Sequence, residues 1–598
     1  MPLLCRGTAG VAAILLAICP RDDAVGDVRL PSVFSSNMVV QCDRPLPVWG
    51  SADPGEEVAV TLAGHAAKAV ADASGQWRVT LAALKPGGPH ALSVQGKNTV
   101  AMGNVLVGEV WLCSGQSNMQ FPVASADNGP AEAAAAQFES IRLFTVPCRA
   151  SPQPLGDVRG AWQVCQSNTV AGFSAVGFFF GRELHRELNV PIGLINSSWG
   201  GTRIEPWTPP EGFAAVPALA DFLQKVPDPK VAYLYAASNF LAQVKAQVDG
   251  ILRPPRKADD QLLDTLSEGN DGKRGDAPAT GGSGLLGMGL PEPEHPLRKQ
   301  AMEIEKWLPL AAAAAARGDE LPPLPGGWPQ RGWPVPPVHP GQSPGVPTSL
   351  YNGMVHPLVP YALRGAIWYQ GEANVGEGRL YREKMLALIR GWRAVWQRED
   401  LAFYYAQIAP YRYGGDAWNL PEIWEAQTMA LTEPHTGMAV TTDIGNVRDI
   451  HPRNKQEVGR RLALWALAET YGRSGLVHSG PIYKAMAAEG GRVRVRFDHV
   501  GGGLKTRDGA APTRFEIAGS DRVLKPATAM IDGETVVVGS EEVAAPVAVR
   551  FGWHQEAEPN LVNAEGLPAS PFRTDDWTNR PPPVVEPSVS PRPPTPTR

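Results

Sequence analysis

From residue 105 to residue 468 the chain keeps switching between two hydrophobic periods, and this switching restricts it to one class of fold. Val105-Leu106-Val107 with Val110-Trp111-Leu112, Ile192-Gly193-Leu194-Ile195, Ile367-Trp368-Tyr369, 403–408 and 438–442 are short apolar runs of strand type. Between them, 178–188, 380–396, 423–431 and 458–468 carry helical spacing, with Leu386, Ile389 and Trp392 on one face of the second. Strands alternating with helices predict a parallel α/β sheet. In such a sheet the reactive groups gather at the carboxyl ends of the strands.

The pattern differs on either side and in the middle. Residues 28–103 read as a small β domain, because short strand-like runs alternate with turn signals such as Asp53-Pro54-Gly55 and Pro86-Gly87-Gly88-Pro89. A second β domain is expected over 481–577, where Val493 to Phe497 and Thr535 to Val538 are strand-like. The α/β unit is then split into 104–215 and 349–475. The stretch 216–348 reads as an insertion, helical over 302–317 and disordered where glycine, charge and proline dominate. The Pro-rich tail 581–598 is expected to be disordered. At 598 residues this agrees with a length prior of about three or four domains.

Residues 1–24 have the form of an export signal, with Arg6 before the apolar run 11–18. A secreted or periplasmic location follows. A lipid anchor on Cys19 is the weaker reading, since Ile18 is bulky where a small residue is usual. No run is long and apolar enough to span a bilayer. A net charge of −5 gives no electrostatic footprint for nucleic acid. Of six cysteines, Cys5 and Cys19 fall in the signal. The other four allow one bridge, Cys148 with Cys165, or buried free thiols.

The segment Gly108 to Met119 runs from a strand into Ser114-Gly115-Gln116-Ser117. That places a hydroxyl where backbone N–H groups converge and can stabilise a developing oxyanion. An isolated serine there is equally an ordinary turn residue. A nucleophilic serine needs a base. Of eleven histidines, His451 has the best setting: it follows the 438–442 strand, precedes a helix and has Asp449 two residues before it. Two further strand ends carry Asn196-Ser197-Ser198-Trp199-Gly200-Gly201-Thr202-Arg203 and Trp368-Tyr369-Gln370-Gly371-Glu372-Ala373-Asn374. The glycines permit close backbone approach, and the amides supply donors. Gly341-Gln342-Ser343-Pro344-Gly345 fits another hydrolase pattern as a string, but Pro344 lacks the N–H that mechanism uses. The 282–287 string resembles a dinucleotide fingerprint without the strand it requires. No metal-binding spacing occurs, so neither a metal nor a cofactor is expected.

Four segments together, GEVWLCSGQSNMQFP (108–122), GLINSSWGGTRIEPW (193–207), LYNGMVHPLVPYALRGAIWYQGEAN (350–374) and DIHPRNKQEVGRRLA (449–463), resemble the sialate O-acetylesterase family of SGNH-type hydrolases. The resemblance spans most of 30–577 and omits the signal, residues 253–347 and the tail. It implies an SGNH/flavodoxin-like parallel sheet flanked by β-sandwich-like regions. It implies hydrolysis of acetyl esters on sugars, with 9-O-acetylated sialic acid as substrate. Acetylxylan or another polysaccharide is the alternative ester, and a non-catalytic sugar-binding protein is the alternative class.

By the same resemblance Ser117 is the nucleophile and His451 the base. The oxyanion hole uses the N–H groups of Ser117 and of Gly201 or Gly200, with Gln370 or Asn374 as third donor. Gln116, Asn118, Arg203, Glu372 and Asn374 are candidates for substrate contact, and Arg203 can pair with a sialate carboxylate. Many SGNH hydrolases carry aspartate three residues before the histidine. Here Arg448 stands there, so Asp449 or Glu372 is left to orient His451.

Overall fold

The computed structural model describes residues 27–226, 228–252, 296–317, 319–326, 334 and 336–577. The expected export signal, the charged and Gly-rich part of the insertion with its 282–287 string, and the Pro-rich tail lie outside the described residues.

The architecture is mixed α/β around one central sheet, with further β-sheets. The central strands are β1 (Thr99–Gly115), β2 (Gln137–Thr145), β3 (Gln163–Gln166), β4 (Ile192–Ser198), β5 (Gly365–Tyr369), β6 (Ala402–Ala406) and β7 (Thr436–Ala439). They lie in the order β7-β6-β5-β1-β4-β2-β3. All neighbours run parallel except the edge strand β3. Strands β4 to β7 are buried along their whole length, as is β1 from Val105 onward. Burial on both faces explains their continuous apolar runs. Helices α1 (Ala175–Leu188), α2 (Leu380–Trp396), α3 (Asn419–Met429) and α4 (Lys455–Trp465) supply the cover. Where α4 meets α1, a Cβ on Gly459 would stand 2.7 Å from the Phe180 nitrogen, so only glycine permits this spacing.

β1 begins outside the central sheet. Its first half pairs antiparallel with Gly87–Gln95, and its second half lies between β4 and β5. The expected division at 103/104 therefore falls inside one unbroken strand. Ahead of it, Leu46–Ser51, Glu57–Leu62 and Gln76–Leu81 bury every second residue, as half-covered antiparallel strands do. After α4, strands from Ile482 onward enclose a separate core that includes Val493, Val495, Ile517, Val536 and Phe551. Arg573 of this region pairs with Glu425 on α3 at 2.8 Å.

The insertion holds more helix than the sequence suggests. Pro229–Leu252 and Pro296–Ala316 pack Tyr233, Phe240 and Val244 against Ile304, Trp307 and Ala311. Cys148 and Cys165 are both free, so the bridge alternative is not realised. Among the described residues no helix is long and apolar enough to cross a membrane.

Candidate active site

Parallel strands bring their carboxyl ends to one rim, and the loops leaving β1, β4, β5 and β7 meet there. β1 ends at Gly115, with φ of +139°. A Cβ at this point would lie 2.2 Å from the carbonyl oxygen of Tyr369 on β5, so only glycine fits. The chain then turns into the short helix Ser117–Gln120. As its first residue, Ser117 presents a backbone N–H with no acceptor inside the helix. Ser174, at the cap of α1, donates its hydroxyl to the Met119 carbonyl at 2.6 Å and anchors this turn to the helix.

His451 arrives on the loop from β7 to α4. Its Nε2 stands 2.9 Å from the Ser117 Oγ, although the two residues are 334 positions apart in sequence. The ring is half-buried and lies nearly parallel to Phe121 at 6.1 Å between centroids. Asp449 accepts the His451 backbone N–H at 2.9 Å, but its carboxylate is 3.8 Å from Nδ1. That separation is an electrostatic contact and not a hydrogen bond. Burial and the Lys455 ammonium hold the imidazole below its ordinary range, while Asp449 pulls the other way. A depressed histidine is neutral at pH 7, the state in which Nε2 accepts a proton.

Gly200 abuts Ser117: a Cβ built there would come 3.2 Å from the serine Cβ. Its N–H donates to the Gln120 side-chain oxygen at 2.9 Å. Gly201, at φ +73°, faces open space, with nothing within 4 Å of a built Cβ. Of the two glycines, Gly200 already has its N–H engaged within the protein.

Other candidates take different places from those expected. Gln370 does not point at an oxyanion site. It is fully buried, and its amide donates to Thr202 O at 3.1 Å, Asn374 Oδ1 at 2.8 Å and Gln116 Oε1 at 3.3 Å. Asn374 is also fully buried. It accepts the Ile204 N–H at 3.1 Å and donates to Glu205 and Glu377, so it is no third donor either. Gln116, Asn118 and Glu372 are buried as well and bond to protein groups. Glu372 does not orient His451: it accepts from Asn118 Nδ2 at 2.5 Å. Arg203 pairs with Glu377 and lies 3.4 Å from Glu205, and both acids are shared with the buried Lys384. Two cations and two carboxylates there balance.

Lys455, Phe121, Gln120 and the Glu205–Glu377–Lys384 group carry no signal along the chain that marks them out. A lysine opening a helix ordinarily reads as solvated, and only the tertiary packing buries this one.

A family model for carbohydrate esterases of the sialic acid-specific acetylesterase type matches residues 107–250 and 339–468. Those segments carry every loop described above. A solved carbohydrate acetylesterase from Xanthomonas citri is 35% identical, with a TM-score of 0.69, and the alignment covers 92% of this chain and 100% of that one. This chain belongs to the sialic acid-specific acetylesterase family of carbohydrate esterases. Within the family, mouse sialate O-acetylesterase is 28% identical over 535 residues, covering 82% of each chain. The human sialate O-acetylesterase is 27% identical over 516 residues, covering 79% of this chain and 76% of that one. The family match skips 251–338, which contains the second helix of the insertion, Pro296–Ala316, whereas the first, Pro229–Leu252, falls almost wholly inside the matched segment.

Proposed function

We propose that this chain is a serine-dependent carbohydrate O-acetylesterase in which Ser117 and His451 work as a dyad. The observation that carries the reading is the 2.9 Å contact between the Ser117 hydroxyl and His451 Nε2 at the rim of the parallel sheet. The histidine takes the hydroxyl proton as Oγ bonds to the acetyl carbonyl carbon. The carbonyl electron pair moves to oxygen, where the N–H groups of Ser117 and Gly201 stabilise it. The intermediate then expels the sugar oxygen, which takes the proton from His451. Water repeats the sequence on the acetyl-serine, releasing acetate and free Ser117. Asp449 steadies the imidazolium only at a distance. The strand order supports an SGNH-type unit formed by 104–215 and 349–475, with 28–103 and 481–577 as flanking β domains. Secretion is part of the proposal and rests on the signal-like residues 1–24.

The relatives' names point to O-acetylated sialic acid, with the 9-O ester as the first substrate to try. One observation favours the second reading, an acetylated neutral polysaccharide such as acetylxylan. Arg203, the cation best placed to meet a sialate carboxylate, is already neutralised by Glu377 and Glu205. A carboxylate drawn to it would have to displace an internal partner. Acetate release from acetylated xylan is expected to exceed release from 9-O-acetylated sialic acid by about tenfold or more in kcat/KM. The reverse preference sinks the neutral-sugar reading, and release from neither sinks the esterase reading.

A further inference from the structure

Lys455 takes no part in the dyad chemistry, yet it bonds to the residue after Ser117 and its charge acts on His451. It is the first residue of α4, four positions after His451, and it has no accessible surface. A buried ammonium must be met by polar partners. Its Nζ donates to Asn118 Oδ1 at 2.5 Å and lies 5.0 Å from the ring centroids of both Phe121 and Tyr369. The Asn118 amide nitrogen donates in turn to Glu372 Oε1 at 2.5 Å and to the Ile450 carbonyl at 3.0 Å. One side-chain amide thus ties together the turn after Ser117, the turn after β5 and the residue preceding His451. Phe121, which faces the ammonium, is also the ring stacked on His451.

We propose that Lys455 is a positioning residue for the dyad: through Asn118 it fixes Ser117 against His451, and its charge keeps the imidazole free to accept a proton. The tie through Asn118 to the Ile450 carbonyl holds the approach to His451 where the Asp449 carboxylate does not reach Nδ1. The inference rests on the dyad reading of the preceding subsection.

The charged groups near His451 are Lys455, Asp449, the exposed Arg448, and Arg453 with its partner Asp127 at 3.6 Å. Glu372 stands beyond Asn118, where burial pushes its carboxyl up. The Tyr369 and Tyr413 hydroxyls are pushed far up by burial and stay neutral. Burial brings Lys455 down to about 7. Its charge therefore grows as the pH falls below neutral, toward the range in which the depressed His451 gains its proton. Removing that charge must raise the pKa of His451.

The test is the pH profile of kcat/KM for acetate release from 4-nitrophenyl acetate, with thermal melting as the fold check. Lys455→Met removes both the charge and the bond to Asn118, whereas Lys455→Gln keeps a donor without charge. Both should move the acid limb to higher pH by about half a unit or more. Lys455→Met should also lose about tenfold or more in kcat, and Lys455→Gln less. Folded variants with an unmoved limb overturn the proposal, whatever their stability. If neither variant folds, the wild-type limb decides: a limb below the ordinary imidazole value of about 6.5 supports the proposal and one at or above it overturns it. Loss of activity in Ser117→Ala alongside unmoved limbs would sink this inference alone and leave the dyad standing.

Discussion

Ser117→Ala is expected to lower kcat/KM for an acetyl ester by about 10⁴-fold or more while leaving the melting temperature unchanged. The hydroxyl contributes one contact, to His451 Nε2, and its removal opens no cavity of consequence in a half-buried turn. What survives is the stabilisation of the oxyanion by the two backbone N–H groups, which the substitution leaves in place. Nucleophile and base act as a unit, so Ser117→Ala with His451→Ala should be no worse than either alone. Asp449→Ala gives the contrast. With 3.8 Å between its carboxylate and Nδ1, and half of its side chain exposed, its loss should cost no more than about tenfold. A fall comparable to that of Ser117→Ala would show a working triad.

Gly115→Ala should be the most damaging single methyl at the site. The added Cβ would meet Tyr369 O at 2.2 Å, its carbonyl carbon at 2.7 Å and its nitrogen at 2.9 Å. All three are backbone atoms of the neighbouring strand and cannot rotate away. The residue also stands at φ +139°, a conformation costing a non-glycine residue about 1–3 kcal/mol. Strand displacement adds to this, and a total near 4 kcal/mol is reasonable for a change of this type. The displaced turn carries Ser117, so a shift of about 1 Å should reduce kcat about 100-fold in whatever protein folds. Gly64→Ala is the control: it has φ +81° with nothing within 4 Å, so it should lose only about 1 kcal/mol and no activity. Equal denaturation midpoints for the two variants would contradict the close-packing account.

The alternation of strand and helix was readable because fully buried parallel strands are largely apolar, as Val110 to Cys113 of β1 and all of β5 are. The loops that converge were readable because they follow such strands directly. Long-range polar pairing was not readable. Gln370 looks like an oxyanion donor along the chain, and Asn374 and Glu372 look like substrate contacts, but they bond inward to Thr202, Glu205 and Asn118. Arg203 looks like a free cation, yet its partner Glu377 is 174 positions away in sequence. The first helix of the insertion, Pro229–Leu252, carries little amphipathic signal of its own and is defined by packing against Pro296–Ala316. The continuity of one strand across 103/104, pairing first with Gly87–Gln95 and then with β4, was not readable either.

The central claim is that Ser117 becomes covalently acylated with His451 as its base. It is tested most directly by treating the enzyme with an acyl-ester mimic such as diethyl 4-nitrophenyl phosphate and locating the adduct by peptide mass spectrometry. The account predicts one stoichiometric adduct on the peptide that contains Ser117, formed in step with the loss of esterase activity and at least about 100-fold more slowly in His451→Ala. Full inactivation with the adduct on another residue, or unchanged labelling of Ser117 without His451, would contradict it.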